Sequence, residues 1–132
     1  MSSQSTRARG LAAEEEAARF LESRGLVVVE RNVTIGGAEI DLIATLEPST
    51  PSEPETVVFV EVRSRDDVRA GTPIETIDRR KRSRLRRAAA AWLVARGLWE
   101  RVAVRFDAIG IVTDEEAPRI EWIPGAFDGD ER

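Results

Sequence analysis

The sequence has no cysteine, no histidine and no tyrosine, and only one methionine. Without cysteine there is no disulfide, no thiol nucleophile and no iron–sulfur site. Without histidine there is no imidazole base, and the usual nitrogen and sulfur ligands of a zinc centre are missing. Any resident metal must then be held by oxygen, which favours Mg2+, Mn2+ or Ca2+. Acid–base work would fall to Asp, Glu, Lys or a metal-bound water. No apolar run is long enough to span a bilayer, and no secretory signal opens the chain. The expected setting is therefore cytoplasmic, with no membrane partner.

What remains is charge and aliphatic carbon. Of the 132 residues, 42% are hydrophobic and 33% charged, which fits one soluble domain with a real core. The expected division is a flexible N-terminus over 1–8, a single domain over 9–124 and an acidic tail over 125–132. Twenty basic and 24 acidic residues give a net charge of −4. That sum hides the distribution. RRKRSRLRR, from Arg79 to Arg87, is intensely basic, while acid collects in EPSTPSEPE, DEEA and DGDER. Local fields of this kind matter most to a large anionic partner.

Periodicity predicts the elements. LAAEEEAARFLESRG reads as a helix closed by Gly25, with an apolar stripe of Leu11, Ala17, Ala18 and Leu21. Glu14 lies on that same stripe, while Glu15 and Glu16 point outward. LVVVERNV reads as a strand, IGG as a turn and EIDLIA as a second strand. In EIDLIA, Ile40, Leu42 and Ala44 alternate with Glu39, Asp41 and Ile43. A polar stretch from Glu47 to Glu55 carries three prolines that a central strand would not accept. TVVFVEVRSR is the third strand, with Val57, Phe59, Glu61 and Arg63 on one face and Val58, Val60 and Val62 on the other.

Thr72, Pro73 and Glu75 have the spacing of a helix start. The helix they open would run to about Arg96 and end at Gly97. Its inner stripe reads Ile74, Ile77, Lys81, Leu85, Ala88, Ala89 and Trp92, with Lys81 as the odd member. VAVRFDAIGIV and RIEWI complete the set. The order α-β-β-β-α-β-β predicts an α/β fold, a mixed sheet with helices against it.

Several polar residues stand where apolar ones are expected: Glu14, Asp41, Glu61, Lys81 and Arg63. Asp41 and Glu61 fall on one face of an antiparallel strand pair, near the end of the sheet. Clustered carboxylates repel one another and tend to hold a proton unless a cation joins them. Three carboxylates around Mg2+ or Mn2+, with a cationic side chain beside them, suit hydrolysis of a phosphodiester. The bland alternatives are a strand-edge pair bonded to arginines for Asp41 and Glu61, and a surface helix position for Glu14. Lys81 would then snorkel to solvent. Asp107 reads as a structural carboxylate, and Trp92, Trp99 and Trp122 as packing residues.

AEIDLIA followed by VVFVEVRSR resembles the strand pair of the PD-(D/E)xK, or restriction-endonuclease-like, nucleases. More closely, the stretch from Arg9 to Val112 resembles the bacterial YraN family within that superfamily. The matching pieces are AEEEAARFL, Arg31–Asn32, AEIDLIA, FVEVRSR, KRSRL and Arg105–Phe106–Asp107. The resemblance implies a restriction-endonuclease-like core in which Asp41 and Glu61 bind the metal and Glu14 completes its ligands. It implies a Mg2+- or Mn2+-dependent endonuclease acting on DNA, with the related Holliday-junction resolvases pointing to branched substrates. Arg79, Arg80, Arg84 and Arg87 would then follow the phosphate backbone, and a second copy of the chain is a further candidate partner.

One departure carries weight. The family's catalytic lysine position is Arg63 here. Arginine keeps the charge but does not deprotonate, and it prefers bidentate anion contacts. Lys81 is left to supply an ammonium from the helix. The alternative function is a nucleic-acid-binding module of the same fold that has lost efficient chemistry.

Overall fold

A computed structural model describes residues 6–65, 77–112 and 119–128, with side chains over 10–64, 77–112 and 119–128. Helix α1 (Thr6–Ser23) is followed by strands β1 (Val27–Ile35), β2 (Ala38–Leu46) and β3 (Thr56–Arg65). Helix α2 (Arg79–Ala95) and strands β4 (Ala103–Val112) and β5 (Arg119–Phe127) complete the chain. The sheet order is β1-β2-β3-β4-β5, antiparallel except for the parallel pair β3–β4. Parallel neighbours need a crossover, and α2 lies within that connection. This is the expected α-β-β-β-α-β-β order, an α/β fold with a mixed sheet consistent with a restriction-endonuclease-like core. Among the described residues no helix is long and apolar enough to cross a membrane.

The helices cover opposite faces of the sheet. Ala13, Ala17, Ala18 and Leu21 of α1 pack on Leu42, Ala44, Val58, Val60, Ile109 and Ile111. Leu85, Ala88, Ala89, Trp92 and Leu93 of α2 pack on Ile40, Ile43, Val57, Phe59, Phe106 and Ala108. Phe59, Phe106 and Phe127 form a stacked row on that face, with ring centroids 5.6 and 4.8 Å apart. Because β3 is covered on both sides, it reads as a near-continuous apolar run, and the two faces separate as expected. Each fully buried Val, Leu, Ile or Phe contributes roughly 1.5–3 kcal/mol.

Both helices end in the same way. Leu26 N–H donates to Leu21 O and Gly25 N–H to Glu22 O, with Gly25 at φ +91°. Leu98 N–H donates to Leu93 O and Gly97 N–H to Val94 O, with Gly97 at φ +68°. Each is a Schellman closure in which a left-handed glycine lets a leucine, Leu26 buried and Leu98 half-buried, fold back onto the last turn. The β1–β2 hairpin turns on Gly36 and Gly37, both at positive φ, as a two-residue type I′ turn requires. Gly36 also lies against α2. A Cβ there would meet Ala88 Cα at 3.2 Å, so this turn needs glycine for its space as well as its dihedral.

The structure corrects several boundaries. Helix α1 reaches back to Thr6, into the segment expected to be flexible. Leu11 is exposed, and Ala13 takes its place in the core. Thr72, Pro73, Ile74 and Glu75 lie outside the described residues, but α2 does not extend from them. Ile77 is buried yet precedes the helix, and Asp78 is its N-cap, with extended backbone and Oδ1 accepting from Lys81 N at 2.8 Å. A carboxylate that satisfies a free first-turn N–H sets the start. Strand β5 runs to Phe127, past the boundary at residue 124, because Phe127 is a core residue.

The alternation expected in β2 also breaks. Ile40 packs under α2 with Ile43, not under α1 with Leu42 and Ala44. Its partner Val33 packs under α2 as well, while the neighbouring pair Arg31↔Leu42 faces α1. Both strands of the hairpin therefore change face between these pairs, at Asn32 and Asp41. Asn32 has φ +53°, a left-handed conformation that asparagine tolerates better than most residues. Such a kink is costly and is common where a site is built.

Candidate functional site

The site forms where β2 and β3 part. Their ladder runs from Leu46↔Thr56 to Leu42↔Val60. At the next residue the Asp41 side chain replaces the backbone, and Oδ2 accepts from Val62 N at 2.8 Å. That bond fixes the Asp41 carboxylate beside Glu61. Because the hairpin changes face here, Asp41 also meets the α1 side. Carboxylate oxygens of Glu14, Glu39 and Asp41 lie within 4.8 Å of one another.

Glu61 is 4% exposed, and two cations share one of its oxygens. Arg63 Nη2 and Lys81 Nζ each lie 3.4 Å from Oε1. The other oxygen, Oε2, is buried and has no hydrogen-bond partner. Glu14 Oε2 and Arg63 Nε are likewise buried without one. Orphaned buried polar atoms are rare and call for an explanation.

The electrostatics show the strain of this crowding. Burial, and next the Asp41 charge, push the Glu14 carboxyl up from 4.5 to about 7. Burial and then the same Asp41 charge push Glu61 to about 7, against the pull of Lys81 and Arg63. Asp41 is itself raised, chiefly by burial, while the Val62 N–H bond draws it back down. Two nearby cations do not cancel the cost of gathering these carboxylates away from water.

A divalent cation fits this arrangement. Every donor is an oxygen, as hard cations prefer. Glu14 and Glu61 each present a buried oxygen that nothing else uses. A dication at Asp41 would also reverse the repulsion that now raises Glu14 and Glu61.

The structure thus places Asp41 between two groups, Glu14 and Glu39 on one side and Glu61 with Arg63 and Lys81 on the other. Lys81 reaches the site from the first turn of α2, near the register read for it. On the same helix Arg79, Arg80, Arg84 and Arg87 are exposed. Arg80, Arg84 and Arg87 are spaced four and three residues apart and share one face. Arg82 and Arg86 serve the fold, donating to Ile77 O and Asp128 O respectively.

Two members of the site are missing from the sequence reading. Glu39 alternates with Asp41 as a strand neighbour, a signal that was available. Asn32, which holds a hydrogen bond to the Glu14 carboxylate, reveals itself only through its backbone.

Asp107 is a different kind of buried acid. Arg105 Nε and Nη2 donate to its two oxygens at 2.8 and 2.9 Å, and Trp122 Nε1 and Gly125 N add one bond each at 2.9 Å. It is a structural knot, as its sequence context suggested. Trp92 and Trp122 are packing residues too, edge-on to Phe59 and Phe20. Trp99 is half exposed.

Known proteins give the chain its kinship. A family model described as uncharacterised protein family UPF0102 matches residues 13–111. A UPF0102 protein of Marinobacter nauticus is 41% identical over 131 residues, covering 98% of this chain and all of that one. A Moorella thermoacetica relative is 42% identical over 123 residues, covering 92% and 96% of the two chains. One from Pseudomonas aeruginosa is 38% identical over 127 residues, covering 95% and 96%. The chain belongs to the UPF0102 family, the YraN family that its motifs resemble.

Proposed function

We propose that the chain is a divalent-cation-dependent endonuclease that hydrolyses DNA phosphodiesters, with branched or otherwise non-standard DNA as its substrate. The observation that carries this reading is Asp41 at the β2–β3 fork, with Glu14 and Glu39 on one side of it, Glu61, Arg63 and Lys81 on the other, and an unused buried oxygen on Glu14 and on Glu61. A cation held there would neutralise charge developing on the phosphate oxygens and make a bound water acidic enough to attack. The chain's own residues do the rest. Val62 N–H fixes the Asp41 carboxylate. Lys81 and Arg63 hold Glu61 and offer positive charge to a phosphate, Arg63 as a two-pronged clamp and Lys81 as a point charge. Arg80, Arg84 and Arg87 extend this positive surface along α2.

The direct test is a Mg2+-dependent nicking assay on linear, single-stranded and four-way-junction DNA. Cleavage that needs the cation and is lost in Asp41→Asn supports the reading, and inertness on every form removes it.

The arginine face has its own test. Replacing Arg80, Arg84 and Arg87 with Ser should weaken DNA binding and flatten its salt dependence. Each lost phosphate contact reduces the slope of log K against log salt by about 0.9. An unchanged slope would make the cluster a solvated helix face.

Arg63 favours a second reading, a binding module that kept the fold and lost efficient chemistry. Arg63→Lys separates the two. It restores an ammonium two residues beyond Glu61, and we expect cleavage about tenfold faster, roughly 1.4 kcal/mol of barrier. Lys81→Ala should lower whatever activity the wild type has. If Arg63→Lys is slower while metal binding is intact, Arg63 is itself adapted to the reaction and the degenerate-module reading fails.

A further inference from the structure

An open cavity of about 530 Å³ lies beside the carboxylates, lined among the described residues by Gly10, Leu11, Glu14, Asn32, Thr34 and Glu39. It is far larger than a cation and its ligands need, and falls in the range of small-molecule pockets. We infer that this cavity receives a single unpaired nucleobase of the DNA, one that carries an exocyclic amine. The inference rests on the reading of the adjacent carboxylates as a phosphodiester-cleaving site.

The lining selects the ligand. Beyond the cation that Glu14 would help to hold, the Glu39 carboxylate in the wall repels phosphate, so the part of a nucleotide that enters is its uncharged base. Leu11 is 48% exposed on α1 and offers apolar surface to the face of a ring. A solvent-facing leucine on the helix side that holds the site is otherwise a wasted burial. Across from it, Thr34 and Glu39 are directly paired in the β1–β2 ladder, both exposed, and so present a hydroxyl and a carboxylate side by side. The Glu39 carboxylate can only accept, and it matches an amine such as cytosine N4 rather than a carbonyl. The Asn32 amide, turned towards α1 by its left-handed backbone, has donor and acceptor capacity left after bonding Glu14.

Position agrees with chemistry. Glu14 lines the cavity and its carboxylate lies within 4.8 Å of that of Asp41. A nucleotide whose phosphate sits at the carboxylates therefore has its base within reach of the cavity. A base stacked in a duplex cannot enter, whereas one already unpaired at a bulge or junction avoids most of the cost of extrusion. The cavity thus gives a physical reason for preferring non-standard DNA.

The test measures affinity by fluorescence anisotropy in Ca2+ for four labelled duplexes. One is fully paired, and the others carry a single unpaired cytosine, a single unpaired thymine or a single abasic site in a bulge. The unpaired cytosine should bind about tenfold more tightly than the abasic bulge, the order expected of one stacked and hydrogen-bonded base, and thymine should fall between them. In Leu11→Ser with Thr34→Val, two exposed positions whose folding is checked by circular dichroism, the ratio of cytosine to abasic affinity should fall towards one. Equal affinity for the cytosine and abasic bulges in the wild type overturns the inference while leaving the cleavage reading intact. A ratio that survives in the double variant also overturns it, because the base would then be read elsewhere. No binding to any of the four overturns both readings together.

Discussion

Asp41→Asn is expected to lose Mn2+ binding and to slow DNA cleavage about a thousandfold, roughly 4 kcal/mol of barrier. The substitution keeps the shape and keeps an oxygen to accept from Val62 N, so the β2–β3 fork should survive. What it removes is the charge that Glu14 and Glu61 both feel. The metal-free variant should therefore be more stable than the wild type, while the metal-loaded wild type should be the more stable of the loaded pair. Calorimetric titration of Mn2+ and thermal melts with and without the cation measure both. Equal Mn2+ binding by the two proteins would remove Asp41 from the site.

The same carboxylates fix how stability changes with pH. In the unfolded chain Glu14 and Glu61 lose their protons near 4.5, but in the folded protein they hold them to about 7. Between those values the folded state binds more protons, so stability falls as pH rises through the window and levels off above it. For Glu61, the more deeply buried of the two, the shift corresponds to about 3 kcal/mol at full expression. Glu14 is more open to water and adds less. A cation needs the deprotonated forms, so Mn2+ should stabilise the protein more above this window than below it. Metal-free melts that rise in midpoint from about pH 5 to 8 would contradict the assignment.

The sequence was most legible where local physics and the fold agree. Five strands, two glycine-terminated helices and the split of β3 into two faces follow from periods of 2 and 3.6 and from left-handed caps. Glu14, Glu61 and Lys81 stood out because each places charge on an apolar stripe, and Asp41 because it falls on the same face as Glu61 across the strand pair. The failures have a common source in tertiary structure. Ile40 sits on the opposite face because the hairpin kinks at Asn32 and Asp41, which no alternation pattern records. Leu11 looked like core because its spacing fits the stripe, yet it faces the open cavity between α1 and the β1–β2 hairpin. The start of α2 was placed too early because Thr72, Pro73 and Glu75 have the spacing of a helix start, whereas the Asp78 carboxylate bonds the first turn of α2.

Two sets of buried carboxylates in one small domain invite a control, and Asp107 supplies it. Asp107→Ala is expected to cost about 3–5 kcal/mol of stability, because it strands a guanidinium together with the Trp122 and Gly125 N–H groups. That is a large share of the roughly 5–15 kcal/mol that holds a domain together, and the melting midpoint should drop by about 10 °C or more. Asp107→Asn should also destabilise, since its amide places two further donors among donors and leaves a single oxygen for Arg105, Trp122 and Gly125 to share. Yet neither change removes a member of the Glu14–Asp41–Glu61 group. At a temperature where Asp107→Asn is still folded, Mn2+ should bind it as it binds the wild type, the opposite of the Asp41→Asn result. The physical distinction is in the lone pairs. Asp107 spends both oxygens on four protein donors, whereas Glu14 and Glu61 each keep a buried oxygen unspent. Were Asp107→Asn to fold and melt like the wild type, that distinction would lose its force, and an unspent oxygen would no longer mark a site.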